Sequence, residues 1–217
     1  MSTRRVLVAL LLTAAAASSR PGSIHASPAS SAALLVAQGK EREGAGDALT
    51  AIKRYSDALA IDPTSEAAYL ALGALRERRS EPIEAEEIYT VGIARVPTSN
   101  EMLVARGRVR RVRGAFALAA DDLQHALAGA SGAEAEPRIL RELVAVRRAQ
   151  TAPAAELATW RRLLAWARAH GDAPTTQEAA VQARALGLYV GEIDPALGGR
   201  ADADQVRRAL AAIARRQ

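Results

Sequence analysis

The sequence predicts an all-helical protein, and three observations support this fold class. Of the 217 residues, 49% are hydrophobic but only 3% are aromatic, and alanine and leucine dominate the hydrophobic set. Such side chains favour closely packed helices, whereas strands favour branched and aromatic ones. Hydrophobic residues recur at helical spacing in the C-terminal half, as at Leu157, Trp160 and Leu164. The third observation is that the central part of the chain repeats itself at a constant interval.

Equivalent positions recur every 34 residues throughout residues 32–133. Along each copy these positions hold a glycine, an alanine, a large side chain, a second small residue and a proline. They are Gly39, Gly73 and Gly107; Ala51, Ala85 and Ala119; Tyr55, Tyr89 and Leu123; Ala58, Gly92 and Ala126; and Pro63 and Pro97, with Ser131 in the third copy. A period of about 34 residues with this order resembles the tetratricopeptide repeat.

The resemblance implies a right-handed α-solenoid in which each repeat is a helix-turn-helix pair. The glycine then lies where the two helices cross, the first alanine accepts that close approach, and the large side chain fills the wedge between repeats. The proline ends the second helix, because it lacks an amide proton and crowds the preceding turn. Turn signals separate the two helices of each copy, around Gly46, Ser80 and Gly114.

Four regions follow from these patterns. Residues 30–133 hold the three clear repeats, and residues 134–187 hold a degenerate fourth repeat and capping helices. Within that second region, helices are expected over 137–149, 154–169 and 175–186, the last ended by Gly187. Residues 188–217 are expected to form a loop and a last helix over 204–216, which caps the solenoid or contacts an acidic partner or anionic lipid.

The remaining region, residues 1–29, has the layout of a secretory signal peptide and a flexible leader. Arg4 and Arg5 precede an apolar run over residues 6–17, which is shorter than the roughly 20 residues that span a bilayer. Small residues follow, and Ala17, Ala26 and Ala29 are candidate cleavage positions. The sequence therefore predicts export to the periplasm or cell envelope, with no integral membrane segment after leader removal. An uncleaved anchor and a disordered tail are the alternatives.

Charge and residue usage argue against several function classes. The 29 basic and 24 acidic residues give a net charge of +5; three of the arginines lie in the leader, which contains no acid, so the remainder carries +2. This balance does not favour nucleic acid as a partner. There is no cysteine, and the three histidines, at 25, 125 and 170, have no second ligand at metal spacing. No phosphate-binding loop or nucleophile motif occurs, so we expect a non-catalytic protein without a cofactor.

In the tetratricopeptide family the first helix of each repeat lines a concave groove, and the resemblance places a peptide-binding site there. The expected lining residues are Val36, Lys40, Leu70, Glu77, Arg78, Val104, Arg108 and Arg111. The valines and the leucine would form an aliphatic strip, and the three arginines a basic cluster. This combination suits an extended or helical peptide with apolar anchors and acidic side chains. A solvated helix face is the alternative interpretation of the arginines.

The predicted function is thus a protein-protein interaction scaffold or adaptor in the cell envelope. The family's two-carboxylate clamp is not supported, because Val36 and Lys40 stand where it uses a lysine and an asparagine. One alternative is a structural subunit or assembly factor of an envelope machine, for pilus or outer-membrane biogenesis, that acts through self-association. The exposed edge of the first repeat and Trp166 would then form a homo-oligomer contact. A cytoplasmic adaptor is the alternative if the leader is not exported.

Overall fold

The computed structural model describes residues 27–130, 134–192 and 203–215, and every regular element in these ranges is an α-helix. Nearly all of the predicted leader therefore lies outside the described residues, as does the junction at residues 131–133. The helices are α1 (Pro28–Gly44), α2 (Ala48–Ile61), α3 (Glu66–Arg78), α4 (Pro82–Arg95), α5 (Asn100–Val112), α6 (Phe116–Ala128), α7 (Ala135–Ala149), α8 (Pro153–Ala169), α9 (Ala173–Val190) and α10 (Ala203–Ala214). The predicted all-α fold class is confirmed.

The helices are arranged in two layers. Each helix packs against the next one along the chain, and α1, α3, α5 and α7 also contact each other in order. The second helices α2, α4 and α6 make no contact with one another. An array whose first helices are close together and whose second helices are apart must curve, with the first helices on the inside. No helix of the described ranges contacts another more than two elements away.

The turn inside each repeat uses a left-handed backbone residue at the same repeat position. These residues are Gly46, Ser80 and Gly114, with φ of 80°, 60° and 78°. Glycine adopts this conformation without steric cost, whereas the Cβ of serine makes it unfavourable. The three predicted turn signals are therefore confirmed, and Ser80 is a strained exception among them.

The repeat glycines make room for a tyrosine ring. A Cβ on Gly39 or Gly73 would overlap the ring of Tyr55 or Tyr89 on the second helix of the same repeat. In the third copy, where Leu123 replaces tyrosine, a Cβ on Gly107 would lie 3.1 Å from the leucine Cγ. The tightest contact at the first two glycines is thus with the aromatic ring rather than with the alanine. The alanines of the second helices, Ala51, Ala85 and Ala119, are fully buried.

The C-terminal helices follow the sequence prediction except at one boundary. Gly187 was expected to end its helix, but α9 continues to Val190, so the predicted helix end is wrong. Gly191 is the left-handed C-cap of α9 (φ +77°), and the Glu192 amide donates a hydrogen bond to the Gly187 carbonyl at 2.8 Å. A Cβ on Gly187 would lie 2.5 Å from the Glu192 carbonyl oxygen. A side chain at position 187 would therefore collide with the backbone just after α9.

The last helix packs on the solenoid. Helix α10 contacts α9, and its Val206 and Ile213 are buried in the same core as the residues of α7 to α9. Arg207 and Arg208 lie on its exposed side. Residues 193–202 and Arg216 lie outside the described ranges.

Candidate peptide-binding surface

The inner surface is formed by α1, α3, α5 and α7, and it holds six of the eight predicted groove residues. Lys40 and Arg78 are exposed, and Leu70, Glu77, Arg108 and Arg111 are half-buried. Val36 and Val104 are wrong as groove contacts, because they are only 5% and 1% exposed. Each valine lies in a hydrophobic cluster that also holds residues of a neighbouring first helix, α3 for Val36 and α7 for Val104. Leu70 is what remains accessible of the predicted aliphatic strip.

A ladder of ion pairs joins the first helices across the inner surface. Arg78 of α3 pairs with Glu43 of α1, and Arg108 of α5 binds Glu77 of α3 through Nε (3.1 Å) and Nη2 (2.9 Å). Further along, Arg138 of α7 pairs with a carboxylate of α5, Glu101. Arg78 and Arg108, two of the three arginines predicted to form a basic cluster, therefore have their charges paired within the protein.

In two of these ion pairs, the glutamate also accepts a hydrogen bond from a tyrosine of the second helix. The Tyr55 hydroxyl donates to Glu43 at 2.8 Å, and the Tyr89 hydroxyl donates to Glu77 at 2.7 Å. Burial raises the pKa of Tyr89 far above its ordinary value, and the hydrogen bond to Glu77 raises it further. The hydrogen bond to Glu77 likewise raises the pKa of Arg108. The Tyr89 hydroxyl therefore stays protonated and remains a hydrogen-bond donor to Glu77.

Arg111 differs from the other charged residues of the inner surface. It occupies the repeat position of Glu43 and Glu77, one repeat beyond the latter. Its Nε is buried, and within the described ranges nothing accepts a hydrogen bond from that atom. The next residue, Val112, is 69% exposed. An arginine next to an exposed aliphatic side chain thus lies at the end of α5.

A second charged cluster lies on the opposite side of α5, and the sequence reasoning missed it. Arg106 holds Asp122 of α6 through Nε (3.0 Å) and Nη2 (2.7 Å), and Arg110 reaches the same carboxylate at 2.8 Å. Arg110 also binds Glu86 of α4 at 2.9 Å, and Arg113 pairs with that glutamate. Arg106, Arg110 and Arg113 are spaced by four and three residues, and positions with this spacing share a helix face. This spacing could have shown that they lie on a different face from Arg108 and Arg111.

The cluster sets the charge state of one glutamate. Burial raises the pKa of Glu86, but hydrogen bonds from Arg110 and Arg113 outweigh it, so the net pKa is below the ordinary value. The neighbouring acids Asp121 and Asp122 point in different directions: the first is exposed and the second is buried. The cluster ties α4, α5 and α6 together and is a structural feature of the outer side.

The two tryptophans, Trp160 and Trp166, differ in burial and in their contacts. Trp160 is buried, and its Nε1 donates to Glu156 at 3.3 Å. Trp166 is half-buried and stacks on His170 with ring centroids 4.5 Å apart. Among the described residues, no group of three histidine or acidic side chains could hold a metal ion. In the same ranges, no helix is both long and apolar enough to cross a membrane.

Solved structures resemble this arrangement over most of its length. Two crystal structures of MamA match with TM-scores of 0.60 and 0.61, at 17% and 19% identity, over 82% and 83% of this chain and 93% and 91% of theirs. PilF of Pseudomonas aeruginosa matches with a TM-score of 0.59 at 20% identity, over 84% of this chain and 88% of its own. All are tetratricopeptide-repeat proteins. The chain has the tetratricopeptide-repeat fold.

The likeness concerns the fold, since the identities are low. No protein-family model matches the sequence, and no curated protein matches it. The tetratricopeptide-repeat fold is therefore established by the constant repeat period, the two-layer packing and the solved structures together.

The first edge of this tetratricopeptide-repeat array is open in the described part of the chain. Leu34, Ala68 and Met102 are equivalent positions of successive repeats. Ala68 and Met102 are fully buried, whereas Leu34 is 61% exposed. Met102 packs under the preceding repeat, since a Cβ on Gly92 would meet its sulfur, and no described repeat precedes α1. Glu41 is exposed where the next repeat has the buried Leu75, which is typical of a terminal repeat.

Proposed function

We propose that this protein is a non-catalytic scaffold that binds a segment of another protein on its inner surface, as an adaptor in the cell envelope. The observation that carries the proposal is the packing of the first helices against each other while the second helices stay apart. It produces one continuous concave surface over four helices. Extended concave surfaces of this kind are what repeat arrays use for binding.

The chemistry of the surface also favours a peptide ligand. The ion-pair ladder fixes the side chains of Glu43, Glu77 and Arg108 before a partner arrives, so little side-chain entropy is lost on binding. Lys40, Leu70 and Arg111 remain as positions that can contact a ligand. A segment with mixed polar and aliphatic side chains matches these groups better than a uniformly acidic or apolar one.

The two lysines of the chain, Lys40 and Lys53, give a matched test of the surface. Lys40 lies on the inner helix α1 and Lys53 on the outer helix α2, and both are exposed. We expect a photo-reactive residue, p-benzoylphenylalanine, to cross-link a defined partner in native cells when it replaces Lys40, and not when it replaces Lys53. Equal cross-linking from both positions, or cross-linking from Lys53 alone, would contradict binding on the inner surface.

Placement in the envelope rests on the sequence of residues 1–29. Cleavage after Ala17 or Ala26 leaves α1 intact, because Ser27 caps this helix: the Ser27 hydroxyl accepts a hydrogen bond from the Ser30 amide at 3.2 Å. Cleavage after Ala29 would remove this cap and the first helical residues. We expect the N-terminal sequence of the protein from its native host to begin at Ser18 or Ser27 and not at Ser30. An intact Met1 in the cytoplasmic fraction would contradict export and support a cytoplasmic adaptor.

The open edge of the first repeat favours a second candidate, a subunit of an envelope assembly that associates with itself. Leu34 is the side chain that such a contact would bury. Light scattering on the purified full chain tests it: a dimer or larger species that becomes monomeric with Leu34→Glu would support self-association. A monomer at all concentrations would exclude it and leave the adaptor.

A further inference from the structure

The third repeat reverses a charge that the first two repeats share. At this position Glu43 and Glu77 each bind an arginine of the next first helix and accept the hydroxyl of a tyrosine. The third copy has Arg111, and its neighbour on the second helix is Leu123, which has no hydroxyl to donate. The first two repeats therefore combine a glutamate, a tyrosine hydroxyl and an arginine here, whereas the third repeat has only the arginine at position 111.

The charge of Arg111 is not matched inside the described protein. Arg78, Arg108 and Arg138 on the same surface all have carboxylate partners, whereas no described residue forms an ion pair or hydrogen bond with Arg111. Its Nε is also shielded from water. A ligand cannot reach that buried nitrogen either, so the terminal nitrogens of Arg111, which are not buried, are the donors left for a partner. A guanidinium binds a carboxylate through two parallel hydrogen bonds.

We propose that Arg111 is the anchor of the inner surface for a carboxylate of the bound segment, an aspartate or glutamate with an aliphatic residue beside it. The aliphatic residue would contact Val112, which is 69% exposed. This inference rests on the proposed function and specifies it. Arg78 and Arg108 cannot serve equally, since a ligand carboxylate would have to displace Glu43 or Glu77.

Peptide display on the full chain tests the inference without a known partner. The probe is a library of random twelve-residue peptides on phage, selected against the wild-type chain, Arg111→Gln, Arg111→Glu and Arg95→Glu. Arg95 is an exposed residue of the outer helix α4, so its reversal changes the net charge equally and leaves the inner surface intact. Arg111→Lys keeps the charge and serves if the glutamine variant does not fold, which circular dichroism reports.

We expect peptides selected on the wild type and on Arg95→Glu to share one acidic position next to an aliphatic one. With Arg111→Glu that position should become lysine or arginine, and with Arg111→Gln a selected acidic peptide should bind roughly tenfold to a hundredfold more weakly. The same acidic position on all four chains would overturn the role of Arg111 while leaving the scaffold intact. Failure to enrich any peptide on the wild type would contradict both the anchor and the peptide-binding surface.

Discussion

Replacing Asp122 with alanine should be among the most damaging single changes in the protein. This carboxylate is 4% exposed and receives hydrogen bonds from Arg106 and Arg110, each 14% exposed. Breaking a buried pair by removing one partner costs about 3–5 kcal/mol, because charge is left uncompensated. Arg110 keeps Glu86 as a second partner, while Arg106 keeps only a hydrogen bond to Thr90. We therefore expect the lower end of that range, about 3 kcal/mol.

Thermal and urea unfolding of the full chain, followed by circular dichroism, measures this loss. For a chain of this size 1 kcal/mol corresponds to roughly 2–4 °C, so the midpoint should fall by about 6–12 °C. Asp121→Ala is the matched control, because its side chain is exposed and should change stability by less than about 0.5 kcal/mol. Equal midpoints for the two variants would refute the view that the outer cluster joins α4, α5 and α6.

Three further changes test the backbone, the helix crossing and the charge cluster. Ser80→Gly should raise stability by about 1 kcal/mol, since the left-handed residue loses its Cβ; an unchanged urea midpoint would show that Ser80 is unstrained. Gly73→Ala should lower the stability by about 1–3 kcal/mol, because the new methyl group displaces the Tyr89 ring. The double variant with Tyr89→Leu should recover part of this loss. No loss of stability in the single variant would mean that the two helices lie further apart. The pKa of Glu86 is lower in the folded protein than in the unfolded chain, so the stability that this carboxylate contributes is present above the unfolded pKa and is lost as the pH falls through the folded pKa. Between about pH 5 and pH 3 the wild type should therefore lose more stability than Glu86→Gln. Parallel curves of stability against pH for the two proteins would contradict this.

The repeat architecture could be predicted from the sequence because the contacts that require its signature residues lie within one repeat and recur in the next. Gly39 and Gly73 are required by the same contact with Tyr55 and Tyr89, so the constant step between repeats preserves both partners. The turn residues recur for the same reason, since one backbone conformation is needed at each. The C-terminal boundary was missed because Gly187 serves a contact with Glu192 further along the chain, and a helix-breaking signal looks identical in sequence.

The binding surface was predicted less well, because exposure depends on the spacing between repeats. Val36 of α1 and Val104 of α5 lie at positions that line the groove in the family, but both are buried in clusters that include residues of a neighbouring first helix. The pairs Arg78 with Glu43 and Arg108 with Glu77 are separated by 35 and 31 residues. Their formation depends on how far each repeat is rotated against the next, and the sequence period does not specify that rotation.

The restriction of contacts to helices one or two elements apart has a consequence for how the protein responds to damage. Loss of packing in α9 or α10 removes no contact made by α1 to α6, so the far end has no direct reason to melt with it. Cooperative unfolding must pass from each repeat to its neighbour through shared interfaces. Short-range contacts of this kind also let each repeat form without waiting for distant segments, which favours rapid folding. The first three repeats and their inner surface can therefore stay folded when the C-terminal helices unfold locally.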